Sequence, residues 1–275
     1  MTDRIPQVLT IAGTDSGGGA GVMADLKTFQ MRHVFGTAVV VAVTAQNTVG
    51  VQNFVSLSET MVHDQFKALA DDFTIKACKT GMLADAEHVR FVVHNLKKYH
   101  FGPLIVDPVM IAKGGAQLLA DDAISVVKQA LLPLATLITP NIPEAERLSG
   151  QTIKNRSDMQ QAAQKLKQLG AKNVLIKGGH LASQAAADYV LLADGRSLWL
   201  ETPRFETKNT HGTGDTISAC IVAELAKGYD LLTALKTAKQ FIYASIANPI
   251  EVGHGHGPLN LWAYTDGYQE ENDEI

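Results

Sequence analysis

Only two cysteines occur in these 275 residues. Cys78 and Cys220 both stand in apolar stretches with no CxxC spacing. They supply neither a disulfide framework nor a zinc site, and a reducing compartment fits them best. Charge of one sign is equally scarce: 24 Lys and Arg against 28 Asp and Glu leave a net charge of −4. That balance gives no electrostatic footprint for nucleic acid, and no basic cluster marks a membrane surface. No apolar run approaches the roughly 20 residues that span a bilayer. The opening "MTDRIPQVLTIAG" passes from polar to strand-like without the apolar core of a signal peptide. The expectation is a soluble, cytoplasmic protein.

Short β-branched runs alternate with helical spacing along most of the chain. "QVLTIAG" (7–13), "TAVVVAVTA" (37–45), "TIKACKTG" (74–81), "LIVDP" (104–108), "TLITP" (136–140) and "NVLIKGG" (173–179) read as strands, several almost wholly apolar. Residues 20–33, 59–72, 85–99 and 157–170 carry helical periodicity between them. The alternation predicts an α/β fold, a mostly parallel sheet with helices on both sides. In "DYVLLADGRSLWLET" (188–202), two strand-like runs flank Asp194-Gly195 and predict an antiparallel hairpin. A last helical pair follows at about 215–227 and 231–248. With no repeat, linker or composition break, one domain over 1–264 is the simplest organisation. The acidic tail 265–275 reads as frayed.

In open α/β sheets, ligands bind beyond the carboxyl ends of the strands. Here those ends gather glycines and polar residues, from Gly13 to Gly21 through to Lys177 and His180. "GTDSGGGAGVMADLK" (13–27) leads from a strand into a helix, where backbone can approach a ligand closely. Its "GAGVMA" fits a dinucleotide fingerprint, but that fingerprint needs an acid at the end of the next strand. Gln46 of "TAQNT" stands there instead, and no GxxxxGK[ST] exists, so neither common nucleotide loop is present. An NAD-type oxidoreductase is disfavoured accordingly. "TPNIPEAERL" (139–148) spaces Asn141 and Glu144 as a capping box, with Pro143 in the first turn. Glu144 suits a hydrated Mg²⁺ equally well, and both readings stay open.

"NTHGTGDTISACI" (209–221) is the most pointed stretch. Asp215 could cap the helix that begins there. Alternatively, Gly212 and Gly214 free the amides of 212–215 to face an anion. An acid beside an anion hole repels phosphate unless it has a task, and taking a proton from an attacking hydroxyl is such a task. The catalytic reading is the stronger one. Smaller signals carry less: Met82 and Met110 read as core filler, and Lys177 as a loop lysine unless a nucleotide lies beside it. "GHGHG" (253–257) has no third metal ligand near and reads as a flexible loop. "MIAKGGAQLL" (110–119) is a candidate mobile flap.

The motifs "GTDSGGGAGVMADLKTF", "VTAQNTVGV", "KTGML", "VDPVM", "TPNIPEA", "IKGGH" and "NTHGTGDT" occur in the order found in hydroxymethylpyrimidine/phosphomethylpyrimidine kinases of thiamine biosynthesis, and the chain resembles that family over nearly its whole length. The resemblance implies a three-layer α/β/α ribokinase-like fold, an ATP- and Mg²⁺-dependent kinase, and a homodimer. It implies that the pyrimidine alcohol lies against the glycine loop at Gly13, with Asp25 nearby, Gln46 bonding the ring, and Met82 and Val109 lining it. Asp107 and Glu144 would arrange Mg²⁺, Asn141 and Lys177 would serve ATP, and Gly212, Thr213, Gly214 and Asp215 would form the anion hole. Members of that family usually carry cysteine where this chain has Asp215. The wider superfamily uses aspartate there as the base, so the departure moves toward the superfamily's chemistry. A pyridoxal kinase is the alternative reading. A non-catalytic binding module is weakened by Asp107, Glu144, Lys177 and Asp215 occurring together.

Overall fold

The computed structural model describes residues 5–110, 121–179 and 185–264. In chain order its strands are β1 (Gln7–Ala12), β2 (Phe35–Val40), β3 (Ala42–Asn47), β4 (Gly50–Ser56), β5 (Ile75–Thr80), β6 (Leu104–Val106), β7 (Leu137–Ile138), β8 (Asn173–Ile176), β9 (Ala185–Leu191) and β10 (Ser197–Pro203). The helices are α1 (Gly21–Met31), α2 (Glu59–Asp72), α3 (Ala86–Lys98), α4 (Asp121–Val126), α5 (Ile142–Ser149), α6 (Arg156–Gln168), α7 (Thr213–Ala226) and α8 (Leu231–Ala247). Eight strands form one sheet in the order β10-β9-β8-β7-β6-β5-β1-β2. Every pairing from β8 to β2 is parallel. The β9–β10 hairpin, as expected from 188–202, adds the antiparallel edge.

Apolar runs without polar alternation produce the layers. Successive residues of a strand face opposite sides, so Leu9, Ile11, Val174 and Ile176 join one core with α2, α3, α5 and α6. Val8, Ile105, Leu137 and Leu175 join the other with α1, α7 and α8. Ser58, Asp85, Asn155 and Asp230 begin α2, α3, α6 and α8, each side chain accepting from an amide of the first turn. Among the described residues no helix is long and apolar enough to cross a membrane. Cys78 and Cys220 are both buried and form no disulfide, and burial pushes the Cys78 thiol up to about 12.

Two expectations need correction, and one element was not read from the sequence. Residues 37–45 do not form one strand: the chain breaks at Val41, and β3 leaves the main sheet to pair only with β4. Asn47 Oδ1 closes the turn by accepting from the amides of Val49 and Gly50. The apolar run carries no polar residue at the break, so periodicity alone reads straight through it. The helical stretch from Asp121, with a π turn and a 3-10 turn to Leu134, was likewise not distinguished. Finally, "GHGHG" is held in place: the amides of His254 and Gly255 donate to Thr48 Oγ1, and that of His256 to Thr48 O. The 111–119 part of the candidate flap, His180 and the tail lie outside the described residues.

Candidate active site

The parallel strands end along one edge, and a cavity of about 710 Å³ opens there. Strand order sets its length. β1 and β8 stand four strand spacings apart, roughly 19 Å at about 4.8 Å each. One end lies against the loop after β1 and the β3–β4 ribbon, where Gly13, Thr44, Gln46, Met82 and Val109 line the wall. The other lies against β9, the segment after β10, and α8, where Phe205 and Tyr243 meet with ring centres 5.5 Å apart. Asp107, Asn141, Glu144, Lys177 and residues 212–215 line the cavity too. Of the residues singled out from sequence, only Asp25 does not. It is wholly buried beneath the wall.

The glycine loop after β1 is filled by its own chain. Asp15 accepts from the amides of Gly17 and Gly19, at 2.8 and 3.1 Å, so those donors face a carboxylate rather than a ligand. Asp15 Oδ2 also lies 2.8 Å from His211 Nε2, and the Gln46 side-chain amide is 3.4 Å from the same nitrogen. Burial alone would raise the Asp15 pKa. The His211 contact and the two amides outweigh it and hold the carboxyl below its usual range. Ser16 fixes the ribbon, its Oγ donating to Gln46 O and accepting from Gln46 N.

Asp215 is not the cap of α7. Gly212 takes that place with φ 77°, and no side chain caps the turn. A Cβ at Gly212 would stand 1.9 Å from Gly19 O, so the two glycine loops meet backbone to backbone. Asp215 lies in the first turn. Among the described residues the amides of Gly212, Gly214 and Asp215 find no acceptor. Three N–H groups at the positive end of a helix are thus left for an anion. α7 can carry its N-terminus into the site because it is buried from Thr216 to Glu224, wedged between the sheet, α1 and α8.

Asn141 and Glu144 form the capping box of α5: Asn141 Oδ1 accepts from Glu144 N, and Glu144 Oε2 from Asn141 N. The box leaves the second Glu144 oxygen uncommitted to the helix. Burial pushes the Glu144 carboxyl up to about 7, with Lys177 pulling it back and Asp107 adding to the rise. Lys177 Nζ lies 2.9 Å from Asp107 Oδ1. Burial opposes its charge, but Asp107 and Glu144 prevail and keep the ammonium above its ordinary value. A Cβ at Gly214 would come within 2.9 Å of Asp107 Oδ2 and 3.1 Å of Lys177 Nζ, so a side chain there would crowd this pair.

Sequence reasoning passed over Asp15, His211 and Lys79. Each lies inside a quoted motif, but its partner is remote in sequence. Lys79 Nζ is 2.6 Å from Asp25 Oδ1 and 3.7 Å from Asp215 Oδ1.

A family model described as phosphomethylpyrimidine kinase matches residues 15–260. The Haemophilus influenzae hydroxymethylpyrimidine/phosphomethylpyrimidine kinase is 56% identical over 265 residues, covering 95% of this chain and 98% of its own. Among solved structures, an ADP complex of Bacillus subtilis pyridoxal kinase aligns with a TM-score of 0.87 at 36% identity, covering 94% of this chain and 98% of that one. The phosphomethylpyrimidine kinase of Clostridium difficile aligns at 0.77 with 41% identity, covering 88% and 99%.

Proposed function

The chain belongs to the phosphomethylpyrimidine kinase family, and from that membership we propose that it transfers the γ-phosphoryl group of ATP to the hydroxymethyl group of 4-amino-5-hydroxymethyl-2-methylpyrimidine in thiamine biosynthesis, and a second phosphoryl group to the resulting monophosphate. Asp215 is the general base. One observation carries this role: the carboxylate lines the cavity together with three amides of residues 212–215 that find no acceptor among the described residues.

The alcohol occupies the end at Gly13, Gln46, Met82 and Val109, with the Gln46 amide, braced by His211, bonding the ring. Asp25 supports this end from below and does not touch the substrate. ATP lies along the other half, its adenine against Phe205 and Tyr243 and its phosphates toward Asn141 and Lys177. The amides of Gly212, Gly214 and Asp215 receive the charge that spreads over the equatorial oxygens during transfer. Asp215 takes the hydroxymethyl proton as the alcohol oxygen attacks in line.

Asp107 and Glu144 suit Mg²⁺. Among the described residues no cluster of three or more metal-ligating side chains exists. Two carboxylates facing a phosphate site are the donor set that Mg²⁺ uses when water and phosphate oxygens supply the rest. Bound there, Mg²⁺ would neutralise phosphate charge. The setting is cytoplasmic, and the working unit is a homodimer, for which the exposed cross-strand pair Val43 and Val55 of the β3–β4 ribbon provides an apolar patch.

Pyridoxal is the second substrate to consider, favoured by the fold's likeness to the pyridoxal kinase structure. The test is ADP release with Mg·ATP and, separately, the hydroxymethylpyrimidine, its monophosphate and pyridoxal. Turnover is expected on both pyrimidines and not on pyridoxal; preference for pyridoxal overturns the substrate assignment. Asp215→Asn should lower kcat by about 10²- to 10⁴-fold while ATP binding persists. Near-native turnover in that variant would remove Asp215 from the role of base.

A further inference from the structure

Beneath the anion hole lies a chain of buried polar groups that the transfer chemistry does not itself require. Thr10 Oγ1 donates to Asp25 Oδ2 at 2.5 Å, and Lys79 Nζ to Asp25 Oδ1 at 2.6 Å. Lys79 and Asp25 are both 0% exposed. The same ammonium donates to the backbone carbonyl of Asp215 at 3.3 Å and stands 3.7 Å from its carboxylate. We propose that Lys79, seated on Asp25, is a positioning residue for phosphoryl transfer, fixing the first turn of α7 and the carboxylate of Asp215. The inference rests on the reading of Asp215 as base.

Stability does not account for the arrangement. A buried ion pair regains little beyond its desolvation cost, and well-packed apolar residues in its place are often neutral or better. The geometry accounts for it instead. At 3.7 Å the ammonium attracts and orients the carboxylate without occupying a lone pair as a hydrogen bond would. The Asp215 oxygens therefore stay open to a substrate hydroxyl. Asp25 maintains that distance by holding Lys79 at 2.6 Å; without it, the ammonium's remaining anionic neighbour at this range would be the base itself.

The backbone is held from the same side. Ser218 Oγ lies 2.9 Å from Gly214 O and 3.0 Å from Asp215 O. Gly214 C=O shares a peptide plane with Asp215 N–H, so anchoring the carbonyl below aims the amide above. Lys79 anchors the next carbonyl of the turn. Gly81 adjoins the seat: a Cβ there would stand a tight 3.1 Å from Ala12 Cβ and in ordinary contact with Asp215 Oδ1 at 3.7 Å.

The test removes both charges together, as Asp25→Asn/Lys79→Met, so that no lone buried ion is left. Thermal midpoint, binding of a non-hydrolysable ATP analogue, KM for each substrate, and kcat are measured for this pair, for Asp215→Asn, and for the triple variant. A misplacement of about 1 Å costs up to roughly 10²-fold. The pair is expected to lose about 10- to 100-fold in kcat with both KM values held. In the Asp215→Asn background it should change kcat less than about twofold, because groups acting through one another are not additive. Wild-type kcat in the pair, with Asp215→Asn inactive, overturns the inference and leaves the base in place. Near-native kcat in Asp215→Asn overturns both. Equal losses in the two backgrounds indicate a structural role for Lys79 and overturn the inference alone. If the pair does not fold, Asp25→Leu/Lys79→Met is read in the same way.

Discussion

Asp15 and His211 are 196 positions apart in sequence and 2.8 Å apart in space. Between them they join the two glycine loops and brace Gln46. The pair also ties stability to pH. Asp15 is held below its ordinary 3.8, so ionising it favours the folded state. That contribution is present above about pH 4, the unfolded carboxyl's value, and is lost as pH falls through the lower folded value. Asp15→Asn should therefore be less stable than the parent at pH 6, with the difference shrinking as both are acidified below pH 4. Urea unfolding at several pH values measures it. A gap that stays constant to pH 3 would contradict the assignment. Neither residue stands out by type, because loop Asp and His usually face water.

At the scale of elements, capping and the proposed catalysis share residues. The α5 capping box draws one Glu144 oxygen onto the Asn141 amide, and Glu144 lines the cavity. Asn141→Ala is expected to cost about 0.5–2 kcal/mol in denaturant unfolding and to weaken Mg²⁺-dependent activity with it. Full stability in that variant would show that the box is dispensable. α7 illustrates the opposite case. Its N-terminus lacks a side-chain cap, and its orphan amides are the proposed anion hole. The 139–148 stretch left cap and metal shell open from sequence; the structure shows the cap, and the metal role belongs to the proposed function.

For the whole molecule, the eight-stranded sheet sets the distance across the site, while the ribbon outside it sets the surface. Val43 and Val55 are cross-strand partners that face away from the core, 44% and 60% exposed. Apolar side chains adjoining in this way on an unpaired ribbon mark an association surface. Val43→Lys/Val55→Glu should convert the proposed homodimer to monomer in sedimentation equilibrium, with the thermal midpoint lowered by the lost association. A parent protein that is itself monomeric at assay concentrations would refute the dimer.

Sequence by itself determined the class of fold, the edge on which the cavity opens, and the motifs that line it. These follow from local rules: apolar runs make buried strands, helical spacing makes the flanking layers, and glycine permits close backbone approach. Gly13, Asp107, Lys177 and the 212–215 turn were legible for that reason. Only the tertiary structure decided that Asp25 lies below the site rather than in it. It also decided that Lys79 reaches Asp215, that Asp15 fills its own glycine loop, and that 37–45 splits between two sheets. Each depends on which side chains meet across distant segments, and on burial that turns an ordinary charge into a strong constraint. Local periodicity carries no record of such meetings.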